Sequence, residues 1–220
     1  MAIQVKICGI TSADAADAVV HAGADFAGLA FHPGSPRNLK PEQAMSLAAR
    51  LRGRVRIVAF VADATNDAIA AIIAAANPDF LQLHGRETPE RVGEIRERFG
   101  KPVIKVIAIA EASDFANVPG YELAADMLMF DAKAPPSASR PGGLGAAFDW
   151  QLLRGRKISK PWLLAGGLNA ENVARAIESA QAPGVDVSSG VETAPGVKSP
   201  DMIRAFVAAA RKSQFAGARS

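Results

Sequence analysis

The chain contains one cysteine, placed where a thiol could do chemistry. Cys8 closes the apolar run Val5-Lys6-Ile7-Cys8, and Gly9 follows at once. Strand alternation puts Lys6 and Cys8 on one face. A thiol beside a cation at a strand end is set to ionise and to act as a base or nucleophile. The competing reading is a small packed hydrophobe. Asp131 is a second candidate, closing the apolar run Met127-Leu128-Met129-Phe130. Desolvation there disfavours a carboxylate, so the group can keep a proton to donate; the alternative is a loop anchor. A base and an acid of this kind suit proton transfer.

Two glycine turns offer a different chemistry. Gly166-Gly167-Leu168 stands just before Asn169, and Ser188-Ser189-Gly190 follows another apolar run. Each exposes backbone amides with no side chain in the way, next to a helix start, which suits a phosphate. Arg37 ends the string His32-Pro33-Gly34-Ser35-Pro36-Arg37. Two prolines stiffen that loop, and a guanidinium held there can grip a planar carboxylate with two prongs. The alternative is a solvated surface arginine. Lys6, Gln82 and His84 are further candidate substrate contacts, equally explicable as groups satisfied inside the fold. His21 falls in a helical stretch and reads as structural. No histidine pair has metal-ligand spacing, so no metal is expected.

These residues need a frame to converge. Short β-branched runs alternate eight times with alanine-rich helical runs. Strands are expected at Ile3–Cys8, Phe26–Phe31, Arg56–Val61, Phe80–His84, Val103–Ile109, Met127–Asp131, Trp162–Ala165 and Val185–Ser188. Helices are expected at Ser12–Ala22, Lys40–Leu51, Thr65–Ala76, Thr88–Phe99, Asn169–Ser179 and Pro200–Lys212, with weaker signals at Glu111–Ala116 and Asp149–Leu153. Ser12, Thr65 and Thr88 are N-cap types, and Gly100 is a stop signal. This alternation predicts an α/β protein: a single (β/α)₈ TIM barrel over residues 1–213, with a phosphate site at the loops after strands seven and eight. A doubly wound sheet is the rival, but no GxGxxG follows the first strand. Every candidate above except His21 then lies at or near a strand's C-terminal end, where barrels carry their sites. Residues 134–148, rich in Pro, Gly and Ser, read as a mobile lid. Residues 214–220 read as a frayed tail.

Composition narrows the function classes. A net charge of +3 over 220 residues, with no basic run, argues against a nucleic-acid partner. No apolar run approaches the ~20 residues of a membrane span, and no secretory signal is visible. A cytoplasmic protein is expected, and lean loops favour a monomer. A lone cysteine excludes an intramolecular disulfide.

With these strings in view, the chain resembles the phosphoribosylanthranilate isomerase family of tryptophan biosynthesis. The resemblance rests on VKICGIT (5–11), GADFAGLAFHPGSPRNL (23–39), LQLHG (81–85), MFDA (129–132), LLAGGLNAENV (163–173) and DVSSGVE (186–192), in the family's order. It implies a cofactor-free aldose–ketose isomerase, acting on a small phosphosugar-anthranilate substrate by an Amadori rearrangement. It further implies Cys8 as base, Asp131 as acid and Arg37 as the carboxylate anchor. The amides of Gly166, Gly167, Leu168, Ser188, Ser189 and Gly190 would bind phosphate. The loop after strand six keeps glycines at 142, 143 and 145 but reads Ser-Ala-Ser-Arg before them, so its ligand contacts transfer least. Two rivals are an indole-forming lyase and a non-catalytic phosphosugar-binding barrel.

Overall fold

Eight runs rich in Val, Ile, Leu and Phe pair in parallel and close on themselves in chain order. The structure is a computed structural model describing residues 2–133 and 148–216, with backbone alone for 214–216. The strands are β1 (Gln4–Cys8), β2 (Phe26–Ala30), β3 (Arg56–Val61), β4 (Phe80–Leu83), β5 (Val103–Ile109), β6 (Met127–Ala132), β7 (Trp162–Leu164) and β8 (Gly184–Val187). The fold is therefore the expected single (β/α)₈ barrel. The expected lid, with its three glycines, lies outside the described residues except for Phe148.

Strand alternation splits the core in two. Phe26, Val58, Ile104, Val106, Met127, Met129, Leu163 and Ala165 pack together inside the barrel. The intervening residues, such as Ile57, Leu81, Leu128 and Val185, face a larger cluster under the helices. Each fully buried side chain of this kind contributes about 1.5–3 kcal/mol.

The helices are α1 (Ala13–His21), α2 (Pro41–Leu51), α3 (Asn66–Ala76), α4 (Pro89–Phe99), α5 (Val118–Ala124), α6 (Val173–Ala180) and α7 (Pro200–Ala216). The Ser12, Thr65 and Thr88 hydroxyls accept from Ala15, Ala68 and Arg91 amides at 3.2, 3.3 and 3.4 Å. Caps of this type are worth about 1 kcal/mol.

Three departures from the sequence reading have physical causes. The stretch expected to be helical at Glu111–Ala116 is a 3₁₀ turn, Ala112–Asn117, which runs straight into α5. Pro119 and Gly120 hide α5 in the sequence, yet a proline is tolerated in a helix's first turn. The helix expected from Asn169 starts only at Val173, because Asn169 folds its side chain onto Glu171 and Asn172 amides at 2.9 and 3.0 Å. The last helix runs on to Ala216, so residues 214–216 continue α7 and the expected tail shrinks to residues outside the description.

Aspartates staple the barrel's N-terminal rim. Asp25, Asp79 and Asp126 each precede an even-numbered strand and accept the amides of Val5, Ile57 and Val103 on the preceding strand, at 2.7, 2.7 and 2.9 Å. Among the described residues no comparable side chain serves β7; β8 meets it through the single register pair Leu164↔Val185. After β8 the chain forms a small antiparallel hairpin of β9 (Glu192–Ala194) and β10 (Val197–Lys198). Among the described residues, no helix is long and apolar enough to cross a membrane.

Candidate active site

The C-terminal mouth of the barrel gathers most of the expected residues. Lys6 and Cys8 point inward from β1, as alternation requires. Lys6 stands beside Asp186 in the β1–β8 register, and its Nζ donates to Asp186 Oδ1 at 2.7 Å with no exposed side-chain surface. It therefore lies beneath Cys8 and is not open to the mouth. Gly28, on the neighbouring strand, makes room for the thiol: a Cβ there would lie 2.8 Å from Sγ.

The expectation of an easily ionised thiol is corrected. Burial dominates and pushes the Cys8 pKa up; Lys6 and Lys198 pull it down, and Asp186 pushes it up again. The net direction is upward because burial outweighs the attraction of the two ammonium groups. Lys6 itself suffers from burial, but Asp186 and Cys8 outweigh that and raise its pKa.

Asp131 faces inward at the end of β6. Its Oδ2 lies 3.3 Å from His84 Nε2, and its Oδ1 accepts the Ala132 amide at 2.8 Å. Its surroundings are thus not merely apolar: Leu128 and Phe130 of the run point away to the helices, and an imidazole stands opposite. His84 stacks edge-on against Phe60, with ring centroids 5.1 Å apart. His84 Nδ1 and the buried Gln82 Oε1 have no hydrogen-bond partner among the described residues. Lys105, by contrast, points out of the barrel and pairs with Glu87 at 2.6 Å.

The two glycine turns meet side by side. Gly166 and Gly167 have φ of +92° and +63°. A Cβ at Gly166 would lie 2.8 Å from the Ala132 amide nitrogen, and one at Gly190 would strike the Leu168 carbonyl. Among the described residues, the amides of Gly166, Gly167, Leu168, Ser189 and Gly190 donate to no acceptor. Ser188 stands at the start of the second turn, its carbonyl and hydroxyl both held by Lys198.

Arg37 is buried, not displayed on the surface, with its side chain 6% exposed. Its stem crosses Gly9, where a Cβ would collide with it. Its Nε and Nη2 grip Glu192 in a two-pronged contact, both at 2.7 Å. The site thus brings Cys8, Asp131, His84, Arg37 and both turns to one mouth. Sequence reading quoted Glu192 in the string after strand eight without giving it a role, and missed Lys198. Pro195-Gly196, a turn signal between them, is the clue to a hairpin that returns Lys198 to Glu192. Among the described residues, no cluster of metal-ligating side chains occurs.

The family model for N-(5'-phosphoribosyl)anthranilate (PRA) isomerase matches residues 5–209. An N-(5'-phosphoribosyl)anthranilate isomerase of Rhodopseudomonas palustris (strain BisA53) is 50% identical over 214 residues, covering 97% of this chain and 98% of the relative. That of Paracoccus denitrificans is 52% identical over 210 residues, covering 96% and 98%. The crystal structure of phosphoribosyl anthranilate isomerase from Thermotoga maritima superposes with a TM-score of 0.85 at 34% identity, covering 96% and 99%. A phosphoribosyl anthranilate isomerase solved with reduced 1-(o-carboxyphenylamino)-1-deoxyribulose 5-phosphate has a TM-score of 0.83 at 33% identity, covering 96% and 99%. The chain belongs to the N-(5'-phosphoribosyl)anthranilate isomerase family.

Proposed function

We propose that the chain converts N-(5'-phosphoribosyl)anthranilate to 1-(2-carboxyphenylamino)-1-deoxyribulose 5-phosphate, with Asp131 as acid and Cys8 as base. The observation that carries this reading is strand order. The two glycine turns, on β7 and β8, lie between the strand of Asp131 (β6) and the strand of Cys8 (β1). A phosphate held by the free amides of those turns sets the attached sugar between acid and base. Two relatives' names and a bound aminoketose analogue in a solved neighbour support the same substrate class.

The steps balance without a cofactor. Asp131 gives its proton to the furanose ring oxygen, and the bond from that oxygen to C1 breaks. The anilino nitrogen's lone pair forms the C1=N bond of a cationic imine. Cys8, as thiolate, removes the C2 proton. The C–H electrons become the C1=C2 bond, and the imine electrons return to nitrogen. The enolamine then loses its hydroxyl proton and gains one at C1, giving the ketone. Each general acid or base step contributes about 10²–10⁴-fold, and holding both substrate ends supplies much of the rest. The raised thiol pKa makes the thiolate a minor form at neutral pH; Lys6 and Lys198 stabilise that form electrostatically. His84 orients Asp131 through the 3.3 Å contact. Arg37 holds the anthranilate carboxylate through a guanidinium edge that Glu192 leaves unused.

The test is turnover of N-(5'-phosphoribosyl)anthranilate, followed by loss of its fluorescence. Turnover by the wild type that falls by two or more orders of magnitude in both Cys8→Ser and Asp131→Asn is expected. Binding of a product analogue without turnover would leave only a binding barrel; consumption of the aminoketose itself with loss of CO2 and an indole absorbance would indicate the lyase. We also propose that the chain acts as a monomer in the cytoplasm. The large exposed apolar residues Met45, Leu123, Val197 and Met202 sit on separate elements or at a hairpin, which supports a monomer. A sedimentation mass near 22.9 kDa is expected, and twice that value would refute it.

A further inference from the structure

Arg37 presents a planar fork of five N–H donors. Glu192 occupies one edge of that fork, Nε with Nη2, at 2.7 Å on both prongs. The remaining edge, Nη1 with the second hydrogen of Nη2, has no partner among the described residues. Glu192 is itself held from behind, since its Oε1 accepts from Lys198 Nζ at 2.7 Å. Lys198 donates also to the Ser188 carbonyl at 2.9 Å and to the Ser188 hydroxyl at 3.3 Å. Three acceptors around one Nζ match the three hydrogens of an ammonium. The side chains of Arg37, Glu192 and Lys198 are 6%, 4% and 0% exposed.

Buried ionic clusters are poor devices for stability, because desolvation consumes most of the attraction. This one has other properties. Two cations and one carboxylate leave a single net positive charge, so the open edge of Arg37 keeps its pull on an anion. An isolated Arg37–Glu192 pair would be neutral. The cluster is also fixed in place. Lys198 and Glu192 are register partners across the hairpin. Thr11 Oγ1 donates to the Gly196 carbonyl at 2.8 Å, and Gly196 abuts Pro36, next to Arg37 itself. Arg37 and Lys198 together hold the Glu192 pKa below the ordinary carboxylate range, against burial as the largest single influence.

We propose that Glu192 and Lys198 are positioning residues for recognition of the substrate's carboxylate. Glu192 fixes the guanidinium plane so that one edge alone faces the mouth. Lys198 offsets the charge of Glu192 and, through Ser188, ties that edge to the turn after β8. This inference rests on the reading of Arg37 as the carboxylate anchor.

The experiment uses two product analogues: the reduced aminoketose phosphate, and the same molecule with the ring carboxylate replaced by hydrogen. Binding of both is measured by calorimetry for wild type, Arg37→Ala, Glu192→Gln and Lys198→Met, with melting temperatures recorded. The wild type should favour the carboxylate analogue by about tenfold or more, and Arg37→Ala should lose that preference. Glu192→Gln and Lys198→Met should lose most of it while still binding the second analogue nearly as the wild type does. In turnover by Glu192→Gln, KM should rise more than kcat falls; Lys198→Met also loses support for the Cys8 thiolate, so it is read by binding alone. Equal weakening of both analogues would reduce the pair to a structural role and overturn the proposal. Tighter binding of the carboxylate analogue by Glu192→Gln would make Glu192 a competitor for Arg37, and would overturn it too. A preference kept by Glu192→Gln but lost by Arg37→Ala would sink this inference alone. A wild type without any preference would sink the reading of Arg37 as well. If Glu192→Gln does not fold, Glu192→Asp carries the same comparison, since it retracts the carboxylate by one methylene and keeps the charge.

Discussion

Cys8 is a buried thiol facing the ammonium groups of Lys6 and Lys198 and the carboxylate of Asp186, and burial wins. A raised thiol pKa means less thiolate at neutral pH and more as pH climbs beyond the ordinary value of about 8.5. Iodoacetamide labelling of the free protein should therefore accelerate with pH through and above that value, and bound product analogue should block it. A labelling rate already level below pH 8 would show that the thiol is ionised after all. Cys8→Ser should lower turnover about 10²–10⁴-fold with little change in product-analogue binding. Asp131→Asn should do the same, and a loss confined to affinity would make Asp131 a ligand contact. The inward placement of Lys6, Cys8 and Asp131 is legible in the sequence, because types and spacing set them on one face of their strands. The ionisation state of Cys8 is not legible. It depends first on how deeply the closed barrel buries the thiol, and then on Lys6, Asp186 and Lys198, of which the last two lie 178 and 190 residues further along.

Among elements, the strands were readable and the turns less so. Short apolar, β-branched runs between helical runs give all eight strands to within one residue at each end, whereas α5 hides behind Pro119 and Gly120, and the β9–β10 hairpin is too short to show a run. That hairpin is the reason Glu192 was left without a role and Lys198 escaped notice. The turn after β8 also behaves differently from a free loop. Gly190 packs its backbone against the Leu168 carbonyl, so a side chain there must drive the two glycine turns apart. Gly190→Val should cost stability as well as affinity for phosphate-bearing ligands. Calorimetric melting decides this: a variant with wild-type melting temperature and weakened binding would show that the close approach is soft. Gly28→Ala makes the complementary test on β2. It should displace the thiol and lower kcat, and Cys8→Ala in the same chain should recover stability without recovering turnover.

Across the whole molecule, the rim aspartates divide the barrel into stapled pairs: β1 with β2, β3 with β4, and β5 with β6. Removing one such acceptor, as in Asp79→Ala, leaves the buried Ile57 amide without its partner and should cost about 1–3 kcal/mol by chemical denaturation. A change within a few tenths would mean that water replaces it. Among the described residues the pair β7–β8 has no side-chain staple, and it meets at Leu164↔Val185. It is the seam of the cylinder, and it runs directly between the two glycine turns. A phosphate gripped by amides from both sides would act as the missing stitch. Hydrogen exchange should then show the seam opening more readily than the stapled pairs in the free protein. Product analogue should slow exchange in β7 and β8 far more than in β3 and β4. At a hundredfold excess over Kd the whole fold gains about 2.7 kcal/mol, so the barrel closes most firmly when it holds its own substrate's phosphate.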